Sequence, residues 1–97
     1  MTTTAFDLSG KVALVTASSR GIGSACALAL ARAGADIVLG QRVKDSDGDL
    51  VREIRGMGRR VLAVQMDVAH LDQINSAVQE AQAHFQRIDI LVNNAGI

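Results

Sequence analysis

The sequence predicts an α/β fold of the Rossmann type, a doubly wound parallel sheet with helices on both faces. Short apolar runs alternate with segments of helical periodicity over the 97 residues, which gives the element order β-α-β-α-β-α-β. The apolar runs are continuous, and 48% of all residues are hydrophobic, as expected for strands buried on both faces. Right-handed crossovers then predict the strand order 3-2-1-4. This is the first half of a doubly wound sheet plus one strand, and therefore an incomplete sheet.

The first two strands are predicted on either side of a helix rich in alanine and leucine. Lys11 to Thr16 is an apolar run typical of a buried strand, and Gly21 to Ala33 consists mainly of good helix formers. Gly34 follows directly and is expected to close the helix. The second strand is predicted over Ile37 to Leu39 and ends at Gly40.

A second helix is expected to begin near Ser46, whose side chain can accept a hydrogen bond from a backbone N–H of the first turn. Leu50, Ile54 and Met57 recur at helical spacing. Gly58 ends the pattern, so the helix is predicted to stop there.

A third strand, a longer helix and a fourth strand complete the chain. The strands are predicted over Val61 to Val64 and over Ile88 to Val92. The helix between them has one apolar face, formed by Leu71, Ile74, Val78, Ala81 and Phe85. In this order the apolar fourth strand has an unpaired edge, so the pattern indicates a sheet that is interrupted rather than finished.

Composition narrows the class of protein. Ten basic residues balance ten acidic ones, so the net charge creates no overall field that would attract nucleic acid or an anionic membrane. No apolar run has the length of a membrane span, and the N-terminal residues lack the basic and apolar regions of a signal peptide. Cys26 is the single cysteine, so we expect a cytoplasmic protein without an internal disulfide. His70 and His84 are not spaced with other ligands as a metal site requires.

The most informative stretch runs from Thr16 to Gly23 and reads Thr-Ala-Ser-Ser-Arg-Gly-Ile-Gly between the first strand and the first helix. A helix N-terminus offers unpaired N–H groups and about half a positive charge. Glycine lets an anionic pyrophosphate approach the backbone closely. The stretch therefore predicts a dinucleotide-binding turn. The alternative is a strand–helix connection that needs glycine only for its shape.

Two spaced motifs resemble the short-chain dehydrogenase/reductase family. They are Thr16-Ala17-(three residues)-Gly21-Ile22-Gly23 and Asn93-Asn94-Ala95-Gly96. The stretch from Leu8 to Thr16 is similar to the family's opening, and Asp67-Val68 is similar to its sequence after the third strand. Ala17 departs from the family's common Thr-Gly pair. The resemblance implies that residues 1–97 are the dinucleotide-binding N-terminal part of a single Rossmann domain, with the C-terminal catalytic part absent.

The resemblance also implies three groups of cofactor-binding residues. The first group lines the pyrophosphate and the adenine ribose. It begins at Thr16 and continues with Ser18, Ser19, Arg20, Gly21, Ile22 and Gly23. The second is Asp67 and Val68 at the adenine, where the Asp67 carboxylate accepts a hydrogen bond from the exocyclic amine. The third lies beside the cofactor ribose and consists of Asn93, Ala95 and Gly96. On the residues alone, Asp67 is also consistent with a plain turn carboxylate, and Asn93-Asn94 with a polar turn.

Charge after the second strand bears on the choice between NADP(H) and NAD(H). An acidic residue after the second strand would bind the ribose hydroxyls of NAD and repel a 2′-phosphate. Gln41 stands where that acid is expected, and Arg42 next to it can form two hydrogen bonds to a phosphate. Arg20 is a second cation near the same corner. The pattern favours NADP(H) and leaves NAD(H) possible. The alternative for Arg42 is that it solvates a loop together with Lys44.

The family's chemistry depends on a tyrosine followed four residues later by a lysine, with a serine upstream. The 97 residues contain no tyrosine, and the two lysines are Lys11 and Lys44, so no catalytic residue is assigned. The resemblance implies an NAD(P)-dependent oxidoreductase that reduces a carbonyl or oxidises an alcohol of a small-molecule substrate by hydride transfer. This chain would be its cofactor-binding portion, inactive alone, with a complementary C-terminal part or a homo-oligomer as partner. The alternative is a non-catalytic nucleotide-binding or interaction module that functions at this length.

Overall fold

The computed structural model describes residues 7–16, 21–42, 48–67 and 69–93. Four parallel strands form one sheet in the order β3-β2-β1-β4, as predicted, and three helices connect them. The elements are β1 (Val12–Thr16), α1 (Gly21–Arg32), β2 (Asp36–Gln41), α2 (Gly48–Gly56), β3 (Val61–Gln65), α3 (Leu71–Phe85) and β4 (Ile90–Val92).

The core consists of two apolar layers, one on each face of the sheet. Side chains alternate along a strand, so Ala13 and Val15 of β1 face α1 and α2, whereas Val12 and Leu14 face α3. All five residues of β1 are buried. The continuous apolar runs in the sequence therefore reflect strands covered on both sides.

Helix α1 packs closely on β1 and β2 because its buried face is made of small residues. Gly23, Ala27 and Ala31 recur every four residues and are the buried positions of the helix. Their small volume lets the helix backbone approach the sheet. The closing glycine was predicted correctly: Gly34 has a φ of +112° and follows the helix in a turn.

Several element boundaries differ from the predictions. Strand β2 runs from Asp36 to Gln41, beyond the predicted end at Gly40, because the Gln41 carbonyl still accepts a hydrogen bond from the Met66 amide at 2.8 Å. Strand β1 begins at Val12, one residue later than predicted, and α1 ends at Arg32, one residue earlier.

Strand β4 begins at Ile90, so the predicted start at Ile88 was wrong. Asp89 joins β1 instead through a reciprocal pair: its amide donates to the Val12 carbonyl and its Oδ2 accepts from the Val12 amide, both at 2.8 Å. Leu91 of β4 is 63% exposed.

The helices after β2 and β3 follow the sequence pattern with two differences. The predicted cap of α2, Ser46, lies outside the described residues, and α2 ends at Gly56. Helix α3 has the bounds of the predicted apolar face, but Leu71 is 71% exposed rather than packed. Helical side chains lean toward the helix N-terminus, so the first residue of α3 projects beyond the end of the helix.

Gly34 lies against the turn that precedes β1. Asp7 Oδ1 accepts hydrogen bonds from the amide and the hydroxyl of Ser9 at 3.0 and 2.6 Å. The Leu8 amide donates to the Ala33 carbonyl at 2.8 Å, which ties this turn to the end of α1. A Cβ atom on Gly34 would lie 2.8 Å from Ser9 Oγ and 2.9 Å from the Ser9 amide nitrogen. The position therefore requires glycine both for its φ and for this contact.

We predict that Gly34→Ala lowers the free energy of unfolding by about 2–4 kcal/mol, because a left-handed backbone and crowding against Ser9 both oppose a side chain. Gly58→Ala is the matched control. Gly58 has a φ of +81° with open space around a Cβ, so only the backbone cost of about 1–2 kcal/mol applies there. Urea unfolding measures both variants. Equal losses would show that Ser9 does not crowd Gly34.

Asp89 makes the stability of the fold depend on pH in the acidic range. The side chain of Arg87 and then the amide of Val12 donate hydrogen bonds to this carboxylate and hold its pKa below the ordinary value. A pKa that is lower in the folded than in the unfolded chain means that the ionised form stabilises the fold. This contribution is present above the ordinary carboxyl range and is lost as the pH falls below about 4.

We therefore predict that Asp89→Asn reduces the loss of stability that the parent shows on acidification. Urea unfolding at about pH 7 and at about pH 3 gives the two free energies whose difference should shrink in the variant. Arg87→Met keeps the carboxylate but removes its principal donor, so it should reduce the acid sensitivity as well. An unchanged difference in both variants would contradict the assignment.

Candidate functional site

The carboxyl ends of the four strands form one edge of the sheet, and most of the predicted site residues in the described part of the chain lie there. Thr16 ends β1, Gln41 ends β2, Asp67 follows β3 and Asn93 follows β4. Strands β2 and β4 pair with opposite sides of β1, so the crossover from β1 to β2 and the crossover from β3 to β4 run in opposite directions along the sheet. In open α/β sheets ligands bind outside the carboxyl ends of the strands at such a point of reversal.

Thr16 and Asn93 meet at the ends of β1 and β4. The Thr16 hydroxyl lies 3.2 Å from Asn93 Oδ1 and 3.3 Å from the Val92 carbonyl oxygen. A hydroxyl has one proton, so it donates to one of these two acceptors at a time. Thr16 is buried, whereas Asn93 is exposed. This contact connects the end of β1 to the end of β4.

Helix α1 begins directly after the predicted phosphate turn. Gly21 has a φ of +63° and open space around a Cβ, so backbone conformation rather than crowding makes glycine suitable. Ile22 is 56% exposed, and Gly23 is buried against the sheet. The predicted pyrophosphate residues Ser18, Ser19 and Arg20 lie outside the described residues, as does Ala17.

Gln41, predicted to stand where an acidic residue would bind the cofactor ribose, has a buried side chain. Its side chain follows Ile37 and Leu39 on the face of β2 that α1 and α2 cover, and it is only 1% exposed. Neither amide atom, Oε1 nor Nε2, has a hydrogen-bond partner among the described residues. Arg42 follows it and is exposed. A buried neutral amide and an exposed cation therefore end β2, with Lys44 outside the described residues.

Asp67 lies in a tightly hydrogen-bonded turn between β3 and α3. Its amide donates to Gln73 Oε1 at 2.9 Å, and its Oδ1 accepts from the Ala69 amide at 3.0 Å. The Asp67 carbonyl accepts from the His70 amide at 2.9 Å. Val68, its predicted companion, lies outside the described residues.

The contribution of Gln73 was not predicted from the sequence. A glutamine three residues after the N-cap of a helix is a known signal, because its side chain can bond a backbone N–H before the helix. The N-cap of α3 is His70, which makes no side-chain cap bond, and Gln73 reaches past it to Asp67. The signal was present, but its target was not predictable from the usual pattern.

A cleft of about 350 Å³ lies below the ends of β1 and β4, on the α3 face of the sheet. Its walls are mainly apolar, and its lining residues are Leu14, Thr16, Met66, Ile74, Val78, Leu91 and Asn93. Thr16 and Asn93 belong both to this cleft and to the carboxyl edge of the sheet. The cleft lies on the opposite face of the sheet from α1.

The remaining candidates contribute no second site in the part of the chain that the structure describes. Asn94, Ala95 and Gly96 lie outside the described residues. Cys26 is half-buried and packs against the core below α1 and α2, in keeping with a packing role. His84 contacts the Phe85 ring edge-on. Searched over the described residues, His, Cys, Asp and Glu side chains form no group suited to a metal ion, and no helix is long and apolar enough to cross a bilayer.

Comparison with known proteins agrees with this geometry. Residues 11–97 match the sequence model of the family described as short chain dehydrogenase. The chain belongs to the short-chain dehydrogenase family. Its members among the relatives are oxidoreductases, and similar structures hold NADPH or NAD, so the family resemblance inferred from the two motifs is confirmed.

Three similar proteins illustrate the match. A hydroxynaphthalene reductase of Aspergillus fumigatus is 44% identical over 98 residues, which cover 99% of this chain and 36% of that protein. The structure of L-sorbose reductase from Gluconobacter frateurii, complexed with NADPH and L-sorbose, is 42% identical, with a TM-score of 0.89 over 97% of this chain and 36% of that one.

A short chain dehydrogenase from Mycobacterium paratuberculosis bound to NAD is 31% identical, with a TM-score of 0.86 over 94% of this chain and 38% of that one. The chain thus spans little more than a third of the length of the relatives that it matches.

Proposed function

We propose that these 97 residues form the NADP(H)-binding part of an oxidoreductase that reduces a carbonyl or oxidises an alcohol by hydride transfer. The observation that supports this most is the carboxyl edge of the sheet, where Thr16, Gln41, Asp67 and Asn93 lie next to the reversal point in a chain of the short-chain dehydrogenase family.

The residues at this edge fit a dinucleotide. Gln41 has both a buried donor and a buried acceptor without partners in the described part of the chain, and each such group costs about 1–3 kcal/mol when left unmatched. The hydroxyls of a ribose can donate and accept, so they would match both amide atoms in kind once the Gln41 side chain turned out of its buried position toward the edge. Gly21 begins α1 with a positive φ and no side chain, as a turn that admits a phosphate requires.

We assign the cofactor to the predicted groups of residues. The turn from Thr16 through Ser18, Ser19, Arg20, Gly21, Ile22 and Gly23 would hold the pyrophosphate and the ribose of the adenosine. Asp67 and Val68 would meet the adenine, and Asn93, Ala95 and Gly96 would lie beside the other ribose. When bound, the nicotinamide supplies or accepts the hydride. The protein's part in these 97 residues is to hold and orient the cofactor.

Charge at the end of β2 supports NADP(H) over NAD(H). A carboxylate there would repel a 2′-phosphate, and Gln41 is neutral. Arg42 is exposed beside it, so its guanidinium is free to move onto a phosphate without losing buried contacts. The similar structures contain either cofactor, NADPH in L-sorbose reductase and NAD in the mycobacterial enzyme. Structural similarity alone therefore does not distinguish an NADP(H) site from an NAD(H) site.

The family supports a proposal for the class of substrate and for the kind of partner. The relatives named above act on a hydroxynaphthalene and on L-sorbose, so we propose a small-molecule carbonyl or alcohol without further definition. The exposed Leu91 on β4 supports an apolar contact with further protein, either a complementary C-terminal part or a second copy. We also propose a cytoplasmic location for the protein.

Arg42→Asp tests the cofactor assignment. Removing a charge-assisted contact and adding a repulsive charge should weaken NADPH binding by about 10- to 100-fold, whereas NADH should change by about threefold at most. Dissociation constants come from titration of cofactor fluorescence with the protein at its natural length. Arg55→Asp, the same charge change at an exposed residue of α2, is the control and should leave the preference intact. Equal losses for both cofactors would show that Arg42 does not read the 2′-phosphate.

A second prediction concerns catalysis by this stretch alone. The purified 97-residue chain should show no hydride transfer from NADPH to carbonyl compounds, because it contains no tyrosine for the proton that the reaction moves. Loss of NADPH absorbance with a panel of aldehydes and ketones measures this, with a full-length relative as the positive control. Turnover at the rate of that relative would overturn the division of roles.

A further inference from the structure

The amide of Asp67 is the first backbone donor of its segment beyond the sheet. The preceding amide, that of Met66, still donates to the Gln41 carbonyl of β2 at 2.8 Å. The Asp67 amide has no strand beside it and donates instead to Gln73 Oε1 at 2.9 Å. A side chain of α3 thus replaces the missing partner strand.

We propose that Gln73 is a positioning residue that holds the Asp67 carboxylate in place to accept a hydrogen bond from the exocyclic amine of the cofactor's adenine. This inference rests on the proposed function. It adds to it a residue that neither belongs to the predicted cofactor-binding set nor contacts the cofactor in our assignment.

The turn leaves one carboxylate oxygen for this purpose. Asp67 Oδ1 is engaged by the Ala69 amide at 3.0 Å. Oδ2 accepts no hydrogen bond from the described residues, and His70 Nε2 lies 3.7 Å from it, beyond hydrogen-bond distance. The Asp67 side chain is 28% exposed, so the carboxylate is partly accessible to solvent.

Gln73 is suited to hold this turn because α3 carries it. The residue lies in the first turn of a 15-residue helix whose opposite end is anchored in the core by Phe85. The tether therefore connects the Asp67 backbone to a rigid element rather than to another loop. The Met66 amide holds the other side of the same peptide segment to β2. With both attachments the carboxylate has little backbone freedom, and less entropy is lost when it binds a ligand.

The chemical consequence is discrimination between adenine and hypoxanthine. Hypoxanthine carries an oxygen where adenine carries the amine, so it offers Asp67 an acceptor instead of a donor. A carboxylate held in place should favour the adenine cofactor by about tenfold. A carboxylate that moves freely should discriminate less.

The test compares NADPH with its hypoxanthine analogue. Their dissociation constants are measured by cofactor fluorescence on the protein at its natural length. Gln73→Met keeps the length of the side chain but removes the acceptor. It should weaken NADPH by about 5- to 10-fold and leave the hypoxanthine analogue within about twofold. Gln73→Glu keeps an acceptor oxygen and should remain within about threefold of the parent for NADPH.

Two controls separate positioning from general damage. Gln79→Met makes the same substitution at an exposed residue of α3 and should change neither constant. Asp67→Asn should remove the discrimination, and adding Gln73→Met to it should cause little further loss, because both changes interrupt the same chain of contacts. If Gln73→Met does not fold, Gln73→Ser carries the same expectations.

Hydrogen exchange provides a readout without cofactor. The Asp67 amide should exchange at least about tenfold faster in Gln73→Met than in the parent, while the Met66 amide, held by β2, should change little. Unchanged exchange at Asp67 would overturn the tether itself.

The outcomes distinguish this inference from the proposed function. If the parent binds NADPH in preference to the hypoxanthine analogue and Gln73→Met retains that preference, or weakens both ligands equally, the positioning role is wrong and the proposed function stands. If the parent binds neither NADPH nor NADH, the proposed function fails first. The expected result is selective loss of the adenine cofactor, with recovery in Gln73→Glu.

Discussion

The pairing of β1 with strands on both of its sides is the constraint on which the rest of the structure depends. Residue by residue, Val12 to Thr16 align with Asp36 to Gly40 of β2, and Ala13 to Val15 align with Ile90 to Val92 of β4. A shift of this register by one residue would turn the apolar side chains of β1 to the wrong layers. The same register brings the ends of β1, β2 and β4 level, so it creates the edge at which the site residues meet.

Polar side chains continue the hydrogen bonding at both ends of this sheet. At the amino edge, the Asp89 carboxylate accepts from the Val12 amide before the regular pairing of β1 with β4 begins. At the carboxyl edge, Gln73 accepts from the Asp67 amide after the pairing of β2 with β3 has ended. Each side chain satisfies a backbone donor that would otherwise lack a partner in its own sheet. The segments that leave the strands are therefore directed by specific contacts and not only by chain connectivity.

Much of the fold was predictable because each strand is a continuous apolar run and each helix a periodic one. The strand order, the bounds of α3 and the closing role of Gly34 followed from these patterns. The burial of Gln41 did not, because a glutamine before an arginine resembles the start of a loop. Only its two-residue spacing from Leu39 indicates that it continues the buried face of β2.

The side-chain amide of Gln41 differs from the other polar groups at this edge, because neither of its atoms has a hydrogen-bond partner among the described residues. In the described part of this edge, the hydroxyl of Thr16, the amide of Asp67 and Oδ1 of its carboxylate all have partners within the protein. Gln41 is buried on the face of β2 that also carries Ile37 and Leu39, and its amide has no partner there. A glutamine in such a place costs free energy that a leucine of similar size would not. Its cost would be compensated if the side chain turned outward to a ligand with hydroxyl groups at the end of β2. Arg42 beside it is exposed and carries the charge that a phosphate on that ligand would need.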